Sequence, residues 1–249
     1  GAGGAAAGTA GGVSEASAAD LLVPRVDLVS KLGSDTLAKL RDPGWKERQA
    51  ALSAVNSALK DHPRVNPAVG ALIEALRPRL RDNQAALVLA ALNALGGLAA
   101  AVGKPIKLHL RVAVPDVMLL LGDGKQQVRD AAMDTLDKWV GEVSFEPILP
   151  LLPKGLAMEA PAGRVKLLHW MTLFIPAMAA NEERLTLLPP LLRALEVLAE
   201  LGDEAEQRHV LQRVDLAQSN ARDAIEGCLV RHYDQLSSEC KCFVHHTIP

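Results

Sequence analysis

Apolar residues recur three and four positions apart along much of the chain. Val69, Leu72, Leu76 and Leu80 make one such stripe, and Leu52, Val55 and Leu59 another. Val128, Ala132, Leu136 and Trp139 or Val140 make a third. That is the period of a helix with one buried face. Breakers separate the stripes at "DHP" (61–63), "GKP" (103–105) and "GEVSFEP" (141–147). The apolar material is aliphatic: hydrophobic residues reach 49% while aromatics are only 3%. Ala and Leu favour helix, and the aromatic and Thr residues that favour strands are scarce. The pattern predicts an all-α protein.

The stripes belong to an internal repeat. Asp42 opens "DPGWKERQAAL", Asp82 opens "DNQAALVLAAL" and Asp123 opens "DGKQQVRDAAM", at separations of 40 and 41 residues. An arginine follows six residues after the first and third Asp (Arg48, Arg129), and a small pair follows it, Ala50–Ala51 or Ala131–Ala132. Each unit reads as an apolar-striped helix, a tight turn at the Asp, and a second, Ala-rich helix. This is the grammar of a HEAT repeat, which cannot bury its apolar face alone and must stack on neighbours into an α-solenoid. The Asp is expected to cap the second helix by accepting from its unpaired backbone N–H groups. The arginine is placed to reach a neighbouring repeat's Asp and link the turns in a ladder.

A fourth turn is expected at "APAG" (160–163), followed by "RVKLLHWMTLF" with Trp170 in the core. Beyond it the pattern is less regular, with a last turn expected near Gln218–Ala221 and an insertion over about 200–214. Residues 1–19 are Gly/Ala/Ser-rich and read as a flexible linker, residues 20–236 as the domain, and residues 237–249 as a disordered tail. The opening "GAGGAAAGTAGG" lacks the basic and leucine-rich regions of a secretory signal and has no initiator Met, so the chain reads as a piece of something longer. "AALVLAALNALGGLAAAV" (85–102) has the length of a membrane span. It is rich in Ala, holds two glycines, and carries its larger residues on one stripe, so it reads as a buried core helix.

Charge narrows the partners. With 27 basic and 29 acidic residues the net is −2, which does not suggest nucleic-acid binding by bulk charge. Cys228, Cys240 and Cys242 are too few and too clustered for a disulfide framework and fit a reducing compartment. "CKCFVHH" (240–246) has zinc-ligand residue types at unfamiliar spacing, so no metal is assigned. His169 has no nucleophile or carboxylate at a telling distance, and no phosphate loop or dinucleotide fingerprint is present. The sequence supports no cofactor and no enzyme activity.

In a stack of such units the intra-repeat turns emerge along one edge. That edge would carry Trp45 and Lys46, then Asn83 and Gln84, then Lys125 and Gln126, then Gly163 and Arg164. A polar turn is ordinarily solvated, but a tryptophan there exposes a large apolar area. The residues alone leave Trp45 open between packing and partner contact. The two readings of the chain are a turn-edge binding module and a generic HEAT scaffold that works through its concave face.

"DLLVPRVDLVSKLGSDTLAKLRDPGWKERQAAL" resembles the opening of a TOG domain of the multi-TOG microtubule polymerase family, and "LGDGKQQVRDAA" resembles the third turn of those domains. The likeness covers residues 20–142 well and is closest to the later, fourth-position TOG domains. It implies a flat paddle of about six helix pairs whose turn edge grips αβ-tubulin, free or in the microtubule lattice, without membrane or nucleic acid. The first-turn Trp would lie on β-tubulin, and later basic turns would reach acidic patches extending to α-tubulin. On that resemblance Trp45, Lys46, Asn83, Gln84, Lys125, Gln126 and Arg164 are tubulin-binding residues, and neighbouring TOG domains are further partners. The second turn lacks the basic residue often found there, and the turn near Asn220 has no clear lysine. The implied setting is the cytoplasmic cytoskeleton, at microtubule plus ends and the spindle or centrosome-like organising sites.

Overall fold

The computed structural model describes residues 24–174. The linker over 1–19, the insertion, the turn near Gln218–Ala221 and the Cys/His tail lie outside the described residues. Within them eight α-helices follow one another: α1 Leu28–Lys39, α2 Trp45–Asp61, α3 Gly70–Leu76, α4 Ala85–Val102, α5 Leu110–Leu119, α6 Gln126–Val143, α7 Leu152–Leu156 and α8 Pro161–Thr172. They form four pairs. In the second to fourth pairs the first helix is short and eked out by 3₁₀ turns, at Arg77–Arg81, Lys104–His109, Leu120–Gly122 and Glu146–Leu151. Three of these turns carry a proline at their start, where no N–H is required. Gly33, at φ 73°, kinks α1.

The second helices lie side by side and parallel. The guanidinium of Arg48 reaches Asp82 and the amide of Asn56 donates to the Ala90 carbonyl, so α2 and α4 advance together. Thr135 donates to the Leu92 carbonyl at 3.1 Å and the Trp139 indole N–H to that of Leu95 at 3.1 Å, so α6 runs with α4. Lys166 meets Asp130, and the Trp170 indole donates to Asp137 at 2.7 Å, carrying the register to α8. Parallel second helices put all their N-termini on one edge.

The predicted stripes are the core. Val69, Leu72, Leu76, Leu80, Leu52, Val55, Leu59, Val128, Ala132, Leu136, Trp139 and Trp170 are all buried. At the centre lies α4, the one described helix long and apolar enough to cross a membrane by length and composition. Here it is packed between α2 and α6. Its two glycines let both neighbours approach: a Cβ at Gly97 would sit 3.2 Å from the Leu59 side chain, and one at Gly96 would sit 3.0 Å from that of Lys138.

On the opposite edge, the loops between pairs are tied to the start of the described chain. Arg25 donates to the carbonyls of Val65 at 2.7 Å and Val102 at 2.8 Å, and Val26 forms an isolated bridge with Val65. The Val102 carbonyl belongs to the negative end of α4, which favours a cation there.

Gly163 marks the closest approach between the third and fourth pairs. A Cβ there would overlap the Met158 sulfur and stand 2.7 Å from the backbone N and Cα of Gly122. Backbone cannot step aside as a side-chain tip does, so Gly163→Ala is expected to cost about 1–3 kcal/mol. A thermal melt followed by circular dichroism should fall by several degrees, while Ala162→Ser at the exposed neighbouring position should leave it nearly unchanged.

Candidate functional site: the turn edge

The turns owe their shape to their aspartates. Asp42 Oδ1 accepts from the Gly44 N–H at 2.7 Å, Asp82 Oδ1 from Gln84 at 3.2 Å, and Asp123 Oδ1 from Lys125 at 2.7 Å. Gly44, Gln84 and Lys125 are themselves the N-cap residues of α2, α4 and α6, and none is capped by its own side chain. The aspartates therefore form Asx turns that close the loop ahead of the helix. They do not cap the helical N–H groups as the sequence suggested.

An arginine in the first turn of the helix then clasps the loop from behind. Arg48 Nη1 donates to the carbonyls of Asp42 at 3.0 Å and Pro43 at 2.7 Å. Arg129 Nη1 does the same to Asp123 and Gly124, at 2.8 and 3.0 Å. Arg164 Nη1 repeats it on Met158 and Glu159, at 2.9 and 3.1 Å. Three turns thus share one device. It reassigns Arg164, expected as an outward contact: this side chain is half-buried and its guanidinium turns inward onto its own turn.

The ladder between turns exists at one step. Arg48 grips Asp82 with two parallel bonds, Nε to Oδ2 at 2.8 Å and Nη2 to Oδ1 at 3.1 Å. Arg79 adds a third bond to the same carboxylate at 3.1 Å. In α4 the position matching Arg48 is Val88, which is buried, so the second turn is held by arginines from outside its own helix. The Asp82 side chain is 2% exposed. Burial alone would raise its pKa, but the hydrogen bonds from Arg48 and the Gln84 N–H, with the charges of Arg48 and Arg79, outweigh it and hold the carboxyl below its ordinary value. Burial likewise lowers Arg79, against the pull of Asp82. The sequence reading gave Arg79 no role, although "RPRLRD" places three arginines, Arg77, Arg79 and Arg81, just ahead of the turn aspartate.

On this frame sit the remaining candidates. Trp45 is the first residue of α2 and is 47% exposed. Lys46 Nζ lies 5.9 Å from its ring centroid, within cation–π range. Asn83, Gln84, Lys125 and Gln126 are all exposed, at the N-terminal ends of α4 and α6. Trp45 therefore faces solvent on the same edge as Lys125. Two half-buried guanidinium groups share the single carboxylate of Asp82, so that cluster by itself carries one positive charge. Among the described residues no group of three or more His, Cys, Asp or Glu is placed to hold a metal ion.

Stacked helix pairs with every intra-pair turn on one edge define a HEAT-repeat solenoid. No protein-family model matches the chain. Protein MOR1 of Oryza sativa subsp. japonica is 32% identical over 172 residues, which is 68% of this chain. Protein mini spindles of Drosophila melanogaster is 25% identical over 217 residues, 85% of this chain. The chain spans 9% of the length of the rice relative and 10% of the fly one. The fold matches, at TM-score 0.67 and 15% identity, a chain solved for tubulin recruitment by microtubule polymerases with TOG domain arrays, covering 91% of this chain and 47% of that one. It also matches, at TM-score 0.64 and 20% identity, a chain from work on plus-end tracking by XMAP215, CLIP-170 and EB1, covering 90% and 92%. The chain belongs to the TOG-domain family of XMAP215-type proteins.

The Arg48–Asp82–Arg79 cluster should register in stability. Asp82→Asn keeps the shape but removes the only charge that both guanidinium groups share, and should cost about 1–3 kcal/mol at neutral pH. Because the folded carboxyl titrates below its unfolded value of about 3.9, its contribution is complete above that value and is lost as pH falls through the lower folded one. Urea titrations across the acid range should show a shallower acid loss in the variant than in the wild type.

Proposed function

We propose that the chain is a tubulin-binding module of a microtubule polymerase or plus-end regulator, and that it does no chemistry. Its turn edge grips αβ-tubulin as dimer or lattice: Trp45 anchors, Lys46 and Lys125 supply charge complementary to an acidic partner, and Asn83, Gln84 and Gln126 complete the polar rim. Arg164 contributes by holding the fourth turn in shape. The observation that carries the proposal is the solvent-facing indole at the head of α2, on the same edge as Lys125. A scaffold using only its concave face would have that indole packed between the first two repeats.

The relatives' names support the setting: mini spindles, and centrosomal protein 224 of Dictyostelium discoideum, 33% identical over 160 residues. We place the module in the cytoplasmic cytoskeleton, at plus ends and the spindle or centrosome, where it promotes microtubule growth and spindle or cortical organisation. Within a longer protein it would work beside other TOG domains, in a later, fourth position. Modules linked in series raise the local concentration of a shared partner.

The test is co-elution with αβ-tubulin on size exclusion. Wild type should shift into a complex, and Trp45→Ala combined with Lys125→Ala should weaken it by about tenfold or more, the usual effect of removing an aromatic anchor and a facing charge. Absence of a complex with the wild type, or equal complexes with both proteins, would defeat the proposal.

A further inference from the structure

Among the described residues four large apolar side chains are exposed. Trp45 belongs to the turn edge. Two others, Leu108 at 78% and Leu119 at 37%, lie elsewhere and lie together. With the half-buried Val112 and Pro115 they fall at i, i+4, i+7 and i+11 through α5 and the turn that leads into it. This is the spacing of one helix face. The opposite face, bearing Leu110, Ala113, Val114, Val117 and Met118, is the buried one. The exposed stripe is about 16 Å long and crosses the layer of first helices from the back edge to the third turn.

Its borders are charged. On the α3 side, Arg77 Nε meets Asp116 at 2.8 Å and Arg81 Nη2 meets the same carboxylate at 3.2 Å. Glu74 pairs with Arg77 at 3.2 Å, and the Arg81 side chain is still 74% exposed. Arg111 and Lys107 are exposed further along. Four cations thus border the stripe against two carboxylates.

We infer that this face of α5 is a second docking surface, whose occupant is an acidic amphipathic helix of a partner protein. The apolar spacing matches the anchors of a helix laid on a helical face. The positive border selects glutamate- or aspartate-rich flanks and makes binding salt-sensitive. The Leu119 end of the surface adjoins the third turn, while its most exposed member, Leu108, lies at the opposite end of α5, away from the turn edge.

Fluorescence anisotropy tests it with a labelled 18-residue synthetic peptide of Leu, Ala and Glu, its leucines at the same spacing, and with a counterpart carrying Lys for Glu. The acidic peptide should bind the full chain and the basic one should not. Leu108→Ser should weaken binding by about tenfold or more, and Arg81→Glu should weaken it too. Leu108→Ser should leave the thermal melt and tubulin co-elution unchanged. No binding of the acidic peptide, equal binding of the two peptides, or indifference to Leu108→Ser overturns the inference. So does concentration-dependent self-association that Leu108→Ser abolishes, which would give the surface to a second copy of the chain.

Discussion

A guanidinium in the first turn of a helix, bonded to two carbonyls of the loop before it, sets the shape of this molecule's turn edge. Carbonyls in a tight polar loop would otherwise depend on water, and the loop would sample many shapes. An arginine suits the task because its planar fork makes several bonds without reorganising and keeps its charge. Arg48, Arg129 and Arg164 each close their own loop in this way. Arg48 has donors left over, and they reach Asp82 in the next repeat. One side chain therefore fixes both the shape of a turn and its distance from the next. Trp45, mounted at the head of α2, inherits that order, which is why the proposed contact would have less freedom to lose on binding.

The three tryptophans show how differently one residue type is used. Trp139 is buried between α6 and α4 with its N–H on the Leu95 carbonyl. Trp170 is buried with its N–H on Asp137, in an aromatic group with Phe145 at 5.5 Å and Phe174 at 5.3 Å. Both satisfy their polar atom inside the protein, as buried indoles must. Trp45 does neither, although the chain has few aromatics to spare. The core is aliphatic and its close approaches are made by Ala and Gly, and the indole of Trp45 takes no part in that packing.

Much of the fold was legible because it rests on periodicity. The stripes around Leu72, Val55 and Leu136 needed only helical spacing to be read, and the separations of Asp42, Asp82 and Asp123 gave the repeat. The helix breaks fell where Pro and Gly put them. What escaped depends on geometry that spacing does not encode. An Asp before a helix suggests a cap, but two residues of extra loop turned it into an Asx turn. A recurring Arg suggests a ladder, yet among the described residues only Arg48 bonds the Asp of an adjacent turn. Arg164 matches Arg48 and Arg129 in position, and its guanidinium, like theirs, bonds its own loop. Arg79 escaped although its bond to Asp82 is local, three residues along the chain, because the repeat places its arginine after the Asp and not before it. The exposure of Trp45 was open on the residues alone, since an indole in a turn can fold either way until its neighbours are fixed, and only the family resemblance pointed outward.

The bonds of Arg25 have a mechanical consequence. One side chain joins the loop at Val65 to the end of α4 at Val102, and the backbone of Val26 pairs with Arg64 and Asn66 beside it, so the entry of the chain fastens two consecutive parts of the stack at the back edge.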